Sequence, residues 1–315
     1  MLVKAADGHD ADIRDLEALL RLPGVAPETA KKIEAELRQV RAGDKAERDA
    51  AYEIEFHFGR SPNWATIHDL RIEHDGHVAQ IDHLIIDRLV EIWVCESKHF
   101  AEGVSVNEHG EWSRWWQGRS EGIPSPVEQN RRHIVLLERV FEDHAVRLPK
   151  RLGLVPMKPD LRSLVLVSSN AKISRPKAKV KGLDEVIKAD QIKTRIIDAY
   201  DAGPEWRLSR VVGKEGLVAF AGELAALHRP AKVDWAARFG IDRHPVEAPT
   251  PVTPPTPREE DLPSPPRAKP AGRASGHVCA ACAKPISFAV VKFCWNNPKR
   301  FAGAIYCMDC QSQFR

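Results

Sequence analysis

Val78-Ala79-Gln80-Ile81-Asp82-His83-Leu84-Ile85-Ile86 and Glu91-Ile92-Trp93-Val94-Cys95-Glu96-Ser97-Lys98 decide how this chain folds. Both runs are rich in branched and aromatic residues with apolar side chains on both faces, which reads as two β-strands inside a sheet covered on both sides. Polar groups in a covered strand are costly unless paired or bound to metal, so Gln80, Asp82, Glu96 and Lys98 need a partner or a purpose. Side chains alternate along a strand, so Gln80 and Asp82 share one face, as do Glu96 and Lys98. An ordinary surface ion pair, worth little, does not fit this setting.

The connecting turn decides whether the two pairs meet. A two-residue turn at Asp87-Arg88 makes opposed residues sum to 175 and turns Asp82 away from Glu96. An odd loop, Asp87-Arg88-Leu89, makes them sum to 176, setting Glu96 against Gln80 and Val94 against Asp82. An odd loop or a bulge is therefore predicted.

Further segments carry a resemblance. Gln80-Ile81-Asp82-His83, Glu96-Ser97-Lys98-His99-Phe100 and Ser125-Pro126-Val127-Glu128-Gln129-Asn130, with Gly43-Asp44-Lys45-Ala46-Glu47 upstream, resemble the nuclease-related domain (NERD) family over roughly residues 43 to 145. The resemblance implies an α/β PD-(D/E)XK (restriction-endonuclease-like) fold, a mixed sheet flanked by helices. It also implies a site of Glu47, Asp82, Glu96, Lys98 and Gln129. The chemistry agrees: clustered carboxylates repel one another, a bound dication reverses this, and oxygen-only donors suit Mg²⁺ or Mn²⁺. Glu47, Asp82 and Glu96 are the expected Mg²⁺ ligands. The ion would orient phosphate and acidify water, and Lys98 would stabilise the pentavalent phosphorus or help activate that water.

Glu47 lies early in Asp44 to Phe58, where Ala46, Ala50, Ala51, Ile54 and Phe58 recur at helical spacing. Taken alone it is first-turn charge complementing the helix dipole. Ser125 and Glu128 form a capping box with Pro126 at the first helical position, which leaves Gln129 free for water, acid or phosphate. His83 reads as a hydrogen-bonded structural residue on the face opposite Asp82, and His99 is left without a role. Trp112, Trp115 and Trp116 follow the turn signal Asn107-Glu108-His109-Gly110-Glu111; core packing is their ordinary use, stacking on unpaired bases the functional one.

Near the C-terminus, Cys279-Ala-Ala-Cys282 and Cys307-Met-Asp-Cys310 stand 24 residues apart, slightly longer than the usual four-cysteine Zn²⁺ spacing, and the pair of Cys-x-x-Cys knuckles reads as a zinc ribbon. Ile286 to Trp295 and Arg300 to Tyr306 read as its strands. Lys292, Lys299, Arg300 and Arg315 with Phe293, Trp295, Phe301 and Tyr306 suggest a basic, aromatic surface for nucleic acid or a protein partner. Cys95 and Cys294 remain as free thiols. Residues 245–275 contain ten prolines and read as a disordered tether.

Five segments result: a helical hairpin at 1–42, the nuclease-related core at 43–145, an α/β extension at 146–244, the Pro-rich linker at 245–275 and the zinc ribbon at 276–315. In the hairpin, Leu22-Pro23-Gly24-Val25-Ala26-Pro27-Glu28-Thr29-Ala30 faintly resembles a DNA-binding helix-hairpin-helix turn, but Ala26 replaces its second glycine and packing is the default. In the extension, Leu161 to Ser168 reads as a buried strand and Asp190 to Tyr200 and Leu208 to Leu227 as helices. The run Lys172, Arg175, Lys177, Lys179, Lys181 reads as a solvated loop ahead of a phosphate contact.

A chain of 315 residues with 43% hydrophobic content buries one sizeable core and a satellite, while a net charge of +3 is too small to mark a nucleic-acid binder by itself. With no apolar span or export signal in the sequence, a cytoplasmic protein without membrane contact is expected. The first functional expectation is a Mg²⁺-dependent nuclease of DNA, RNA second, with the ribbon assisting binding. The alternative is an adaptor that binds nucleic acid or protein without turnover.

Overall fold

The structure, a computed structural model, describes residues 1–151, 154–204, 207, 210–241, 277–286, 288–295, 297–301 and 304–313. The chain divides into two compact units, residues 1–246 and 247–315. The expected tether, residues 245–275, lies outside the described residues.

The first unit contains β1 (Leu2–Lys4), α1 (Asp10–Leu20), α2 (Pro27–Phe58), β2 (Trp64–His74), β3 (His77–Asp87), β4 (Glu91–Lys98), β5 (Gly103–Val106), β6 (Trp112–Trp116), β7 (Arg119–Ile123) and α3 (Pro126–Glu142). There follow a short ladder of β8 (Lys150–Arg151) and β9 (Val155–Pro156), then β10 (Asp160–Val167), β11 (Lys172–Ser174), β12 (Val186–Lys188), α4 (Ile192–Asp201), α5 (Lys214–Ala226) and α6 (Trp235–Arg238). The main sheet runs β1-β2-β3-β4-β10-β12 and is mixed: β2, β3 and β4 are antiparallel neighbours, while β1, β10 and β12 run parallel to theirs.

Helices cover both faces, which is why the strands are apolar on both sides. Leu136, Leu137, Val140 and Phe141 of α3 with Leu217, Phe220 and Leu224 of α5 pack against Ile81, Leu84, Ile92 and Val94. On the other face Ala50, Ile54 and Phe58 of α2 with Ile192 and Ile196 of α4 cover Ile85, Trp93 and Leu164. A second sheet, β11-β5-β6-β7, carries the tryptophan strand and shares a core with Val165 and Val167.

Several expectations are revised. The segments read as separate helices on either side of residue 42 are one helix, α2, because a glycine within a helix, here Gly43, costs only about 1 kcal/mol and packing overrides it. α5 begins after Gly213 rather than at Leu208, and residues 208 and 209 lie outside the described residues. The N-terminal hairpin packs on α6: Leu16, Leu19, Ile33 and Leu37 enclose Trp235, whose indole Nε1 donates to Asp12 at 2.8 Å. The basic run from Lys172 to Lys181 is exposed, with Arg175 donating to the carbonyl of Val186 at 2.6 Å.

The β3–β4 connection has odd parity, as predicted, but a different register. Ile86 opposes Ile92 and His83 opposes Cys95, so opposed numbers sum to 178 and the loop is Arg88-Leu89-Val90 rather than Asp87-Arg88-Leu89. Asp87 Oδ1 accepts the N–H groups of Leu89 and Glu91, each at 2.9 Å, and Val90 closes the turn at φ 63. Burial pushes the Asp87 carboxyl up to about 7. An acid raised in the folded state holds more protons than the unfolded chain between its ordinary value and the raised one, so stability falls as pH rises from about 4 to about 7. Asp87→Asn is expected to flatten that slope in urea unfolding measured across this window; an unchanged slope would show that Asp87 does not set it.

In the second unit, β13 (His277–Val278) and β14 (Pro285–Ile286) form a hairpin, followed by α7 (Phe288–Trp295), α8 (Pro298–Phe301) and α9 (Met308–Gln311). The strand expected from Ile286 to Trp295 is thus largely helical, and in the segment expected as a strand from Arg300 to Tyr306, Arg300 and Phe301 close α8 while residues 304–306 lie in no regular element. Branched and aromatic composition favours strands, but here Val291, Cys294 and Phe301 are at most 1% exposed and pack inside a very small core, which overrides propensity. Burial of Phe301 also removes it from the suggested aromatic surface, whereas Phe293 is exposed. The side chains of Lys292, Trp295 and Lys299, and residue Arg315, lie outside the described residues.

Candidate functional site

Alternation along β3 breaks at Asp82. Ala79 and Ile81 pack under α3 and α5, yet so do Leu84 and Ile86, so the strand changes face between residues 81 and 84. Directly across on β2, Asp69 adopts φ 53 and leaves the ladder between the His68–His83 and Leu70–Ile81 pairs. A left-handed residue inside a strand costs of order 1–3 kcal/mol and persists only where its surroundings hold it. Here Lys4 Nζ donates to the carbonyls of His68 and Asp69 at 3.1 and 2.9 Å, and Gln80 donates to Asp69 at 3.1 Å. The β3–β4 ladder accordingly stops at His83–Cys95, and the Ser97 N–H donates instead to Asp82 Oδ2 at 2.7 Å. The kink sets Asp82 where the α2 layer meets the α3 layer. No sequence signal marked Asp69.

An open cleft of about 830 Å³ has Glu47, Asp82, Glu96, Lys98 and Gln129 in its lining. Glu47 comes from the middle of α2, Glu96 and Lys98 from the end of β4, and Gln129 from the first turn of α3, whose Ser125 caps the Glu128 N–H while the Glu128 carboxylate pairs with Arg131 instead of closing the expected capping box. All five candidate residues therefore face one space. Gln80 lies at its edge and is spent on Asp69.

Burial, then the Glu96 and Glu47 carboxylates, hold the Asp82 carboxyl well above its usual range. Burial also raises Glu96, against the opposing pull of Lys98. The Lys98 ammonium donates to Glu96 Oε1 at 2.5 Å; burial opposes its charge, yet Glu96, Asp82 and Glu47 together keep it above the ordinary lysine range. Glu96 is 1% exposed and its second oxygen, Oε2, has no hydrogen-bond donor. His133 Nδ1 lies 3.6 Å from it, also unpartnered, on an imidazole that burial and the charges of Lys98 and Arg132 push down to about 4. Glu47 Oε2 lies 3.5 Å from His9 Nε2, and the Glu47 and Asp12 carboxylates outweigh burial to raise His9 to about 9.

An orphaned buried oxygen beside two further carboxylates is a donor set that suits a hard cation. Among the described residues, however, the acids are not drawn into a set close enough to hold an ion; the four cysteines are. Cys279, Cys282, Cys307 and Cys310 have sulfur atoms within 4.8 Å of one another and form no disulfide. The Cys307 N–H donates to Cys279 Sγ at 3.2 Å, and with the N–H groups of Ala281 and Cys282 it outweighs burial to lower that thiol to about 6. Four soft sulfurs in this arrangement could hold a metal ion. Cys294 stays outside the set and accepts from Tyr306 N and Gln311 Nε2 at 3.4 and 3.3 Å; Cys95 is buried and its thiol is pushed up by that burial.

His83 is structural: its ring bonds Ser97 Oγ and His68 Nδ1, each at 2.8 Å, and His68 reaches Glu55 at 3.0 Å. Sequence reasoning missed His133, although its position four residues after Gln129 puts both on one helix face. It also missed Asn130, fully buried, whose Nδ2 donates to Val94 O, Ser163 Oγ and Leu164 O at 2.8, 2.9 and 3.2 Å and ties α3 to β4 and β10. Asn130→Ala is expected to cost about 2–3 kcal/mol in urea unfolding by leaving those acceptors short of a donor; a loss below 1 kcal/mol would mean that water replaces the amide. The tryptophans divide: Trp112 is core, while Trp115 and Trp116 are exposed at the cleft wall.

No helix of the described residues is long and apolar enough to cross a membrane. No curated protein and no solved structure matches the chain. Residues 42–166, which carry the kinked hairpin, all five cleft residues and Asn130, match the family model of the nuclease-related domain.

Proposed function

We propose that this chain is a divalent-metal-dependent nuclease of the PD-(D/E)XK type that hydrolyses phosphodiester bonds, DNA before RNA. The observation that supports this most is the donor-free buried oxygen of Glu96, beside the raised Asp82 carboxyl and Lys98, in an open cleft of a nuclease-related segment. Asp82 and Glu96 would hold Mg²⁺ or Mn²⁺, with Glu47 reaching in from α2. Bound there, the ion would supply Lewis acidity toward the phosphate and a lowered pKa for water. Lys98, already cationic, would donate to the phosphate oxygen on which charge builds, and the Gln129 amide would orient water or phosphate. The four cysteines would hold Zn²⁺ in the second unit, which would add binding for nucleic acid or a protein partner.

A second reading, a silent adaptor, draws on one observation: Lys98 already neutralises Glu96 and the acids are not closed around an ion site. Incubating the full chain with plasmid, single-stranded DNA and RNA in Mg²⁺, in Mn²⁺ and without either separates the two. Cleavage in Mg²⁺ or Mn²⁺ alone is expected; binding with no cleavage under any condition would leave the adaptor.

A further inference from the structure

We propose that the strand in this cleft is unpaired, and that it follows a track with an aromatic platform at each end, Trp115 and Trp116 on one side and Tyr52 and Phe56 on the other. This rests on the reading of the cleft as a phosphodiester site and names its substrate class.

The first platform is a tied hairpin. β6 and β7 are joined by Gln117-Gly118, both left-handed at φ 50 and 70, which is the tight turn that matches strand twist. The Glu102 carboxylate accepts the N–H groups of Gln117 and Gly118 at 2.6 and 3.3 Å and fixes the tip. Trp112, 6% exposed, anchors the other end of β6 in the core, while Trp115 and Trp116 remain 43% and 49% exposed on the wall of the cleft that holds Asp82 and Lys98. Two large indoles held in water beside a charged site call for a ligand.

The second platform is on α2. Tyr52 and Phe56 stand one helical turn apart, are 66% and 69% exposed, and stack with centroids 6.1 Å apart at 26°. Tyr52 borders a groove of about 290 Å³ lined also by Lys45, Asp49, Glu53, His99 and Ser168, and His99 lines the main cleft as well. His99 is thus common to the two depressions along the proposed path.

Cations lie along this path without firm commitments. Lys45 pairs with Asp49 at 2.7 Å and Arg114 with Glu121 at 2.8 Å, each an exposed pair of little worth that a phosphate can displace. Exposed ring faces stack on any base, but only on a base whose own face is free, and in a duplex those faces are covered by neighbours. The combination of stacking faces, exchangeable cations and a phosphodiester-type floor fits a single strand.

The test is binding, independent of turnover. Fluorescence anisotropy of a labelled oligonucleotide, single-stranded or annealed to its complement, is read with the full zinc-loaded chain and no added Mg²⁺ or Mn²⁺. The native protein is expected to prefer the single strand. Trp115→Ala with Trp116→Ala is expected to weaken single-strand affinity by about ten- to a hundred-fold and duplex affinity by under about two-fold. Tyr52→Ala with Phe56→Ala should act in the same direction, and Phe at both tryptophan positions should retain most of the affinity. Equal losses on both substrates, no loss, no strand preference, or capture of a protein with no oligonucleotide binding each overturn the track. Strand preference that depends on these aromatics without cleavage would keep the track and sink the nuclease reading; cleavage with no such dependence would do the reverse.

Discussion

Asp82→Asn is expected to raise the melting temperature of the protein in the absence of Mg²⁺ or Mn²⁺ while removing about 10²–10³ of its cleavage rate. Asp82 sits beside Glu96 and Glu47 in a poorly solvated kink, and all three raise its carboxyl in the same sense. Two like charges about 4 Å apart repel by roughly 4 kcal/mol at an effective dielectric of 20, and burial beside Glu96 and Glu47 opposes the Asp82 charge in that same sense. An amide keeps the acceptor for the Ser97 N–H and ends the repulsion. A net gain of about 1–2 kcal/mol corresponds to a few degrees in a unit of this size. On the proposed reading the same charge is what a bound dication would need, so the variant would gain stability by losing function. Calorimetry in metal-free buffer checks the first half; a lowered melting temperature would mean that the carboxylates are not in conflict.

Removing metal from the cysteine cluster should unfold the second unit and spare the first. The described part of that unit buries only Cys279, Ile286, Val291, Cys294 and Phe301, far less than an independent domain requires. Structural zinc contributes about 10–16 kcal/mol of apparent folding free energy in small modules, so binding and folding become one event. A chelator is expected to release metal and to abolish amide protection in β13, β14 and α7 while the main sheet keeps its protection, and Cys279→Ser should reproduce this. Retained protection without metal would refute a metal-dependent module. Collapse of the main sheet under the same treatment would refute its independence.

The hairpin strands and the parity of their loop were legible because the strand period is two and both faces are covered. The register was not. It depends on Asp87 capping two N–H groups and on Val90, a β-branched residue, taking a left-handed conformation usually left to glycine. Glu47 was legible only through resemblance, since alone it reads as first-turn charge, and Gln129, left free by the Ser125–Glu128 cap, was joined to the acids by the same resemblance. Asn130 and His133 acquire roles from the parallel pairing of β4 with β10, strands more than sixty residues apart, which no local pattern encodes. The kink at Asp69 and Asp82 is likewise a product of tertiary contacts from Lys4 and Gln80. In the second unit, eight residues of strand-like composition became a helix because packing in a minimal core outweighs propensity.

Lys98→Ala provides the sharpest comparison, because the Lys98 ammonium is bonded to Glu96 and Lys98 is not a proposed metal ligand. Single-turnover cleavage of DNA by the native chain and by this variant, at saturating Mg²⁺ and with folding verified by thermal melting, should show metal-dependent hydrolysis in the first and a rate about 10²–10³ lower in the second. Equal rates in the two proteins, or no Mg²⁺-dependent cleavage by the native chain, would contradict it.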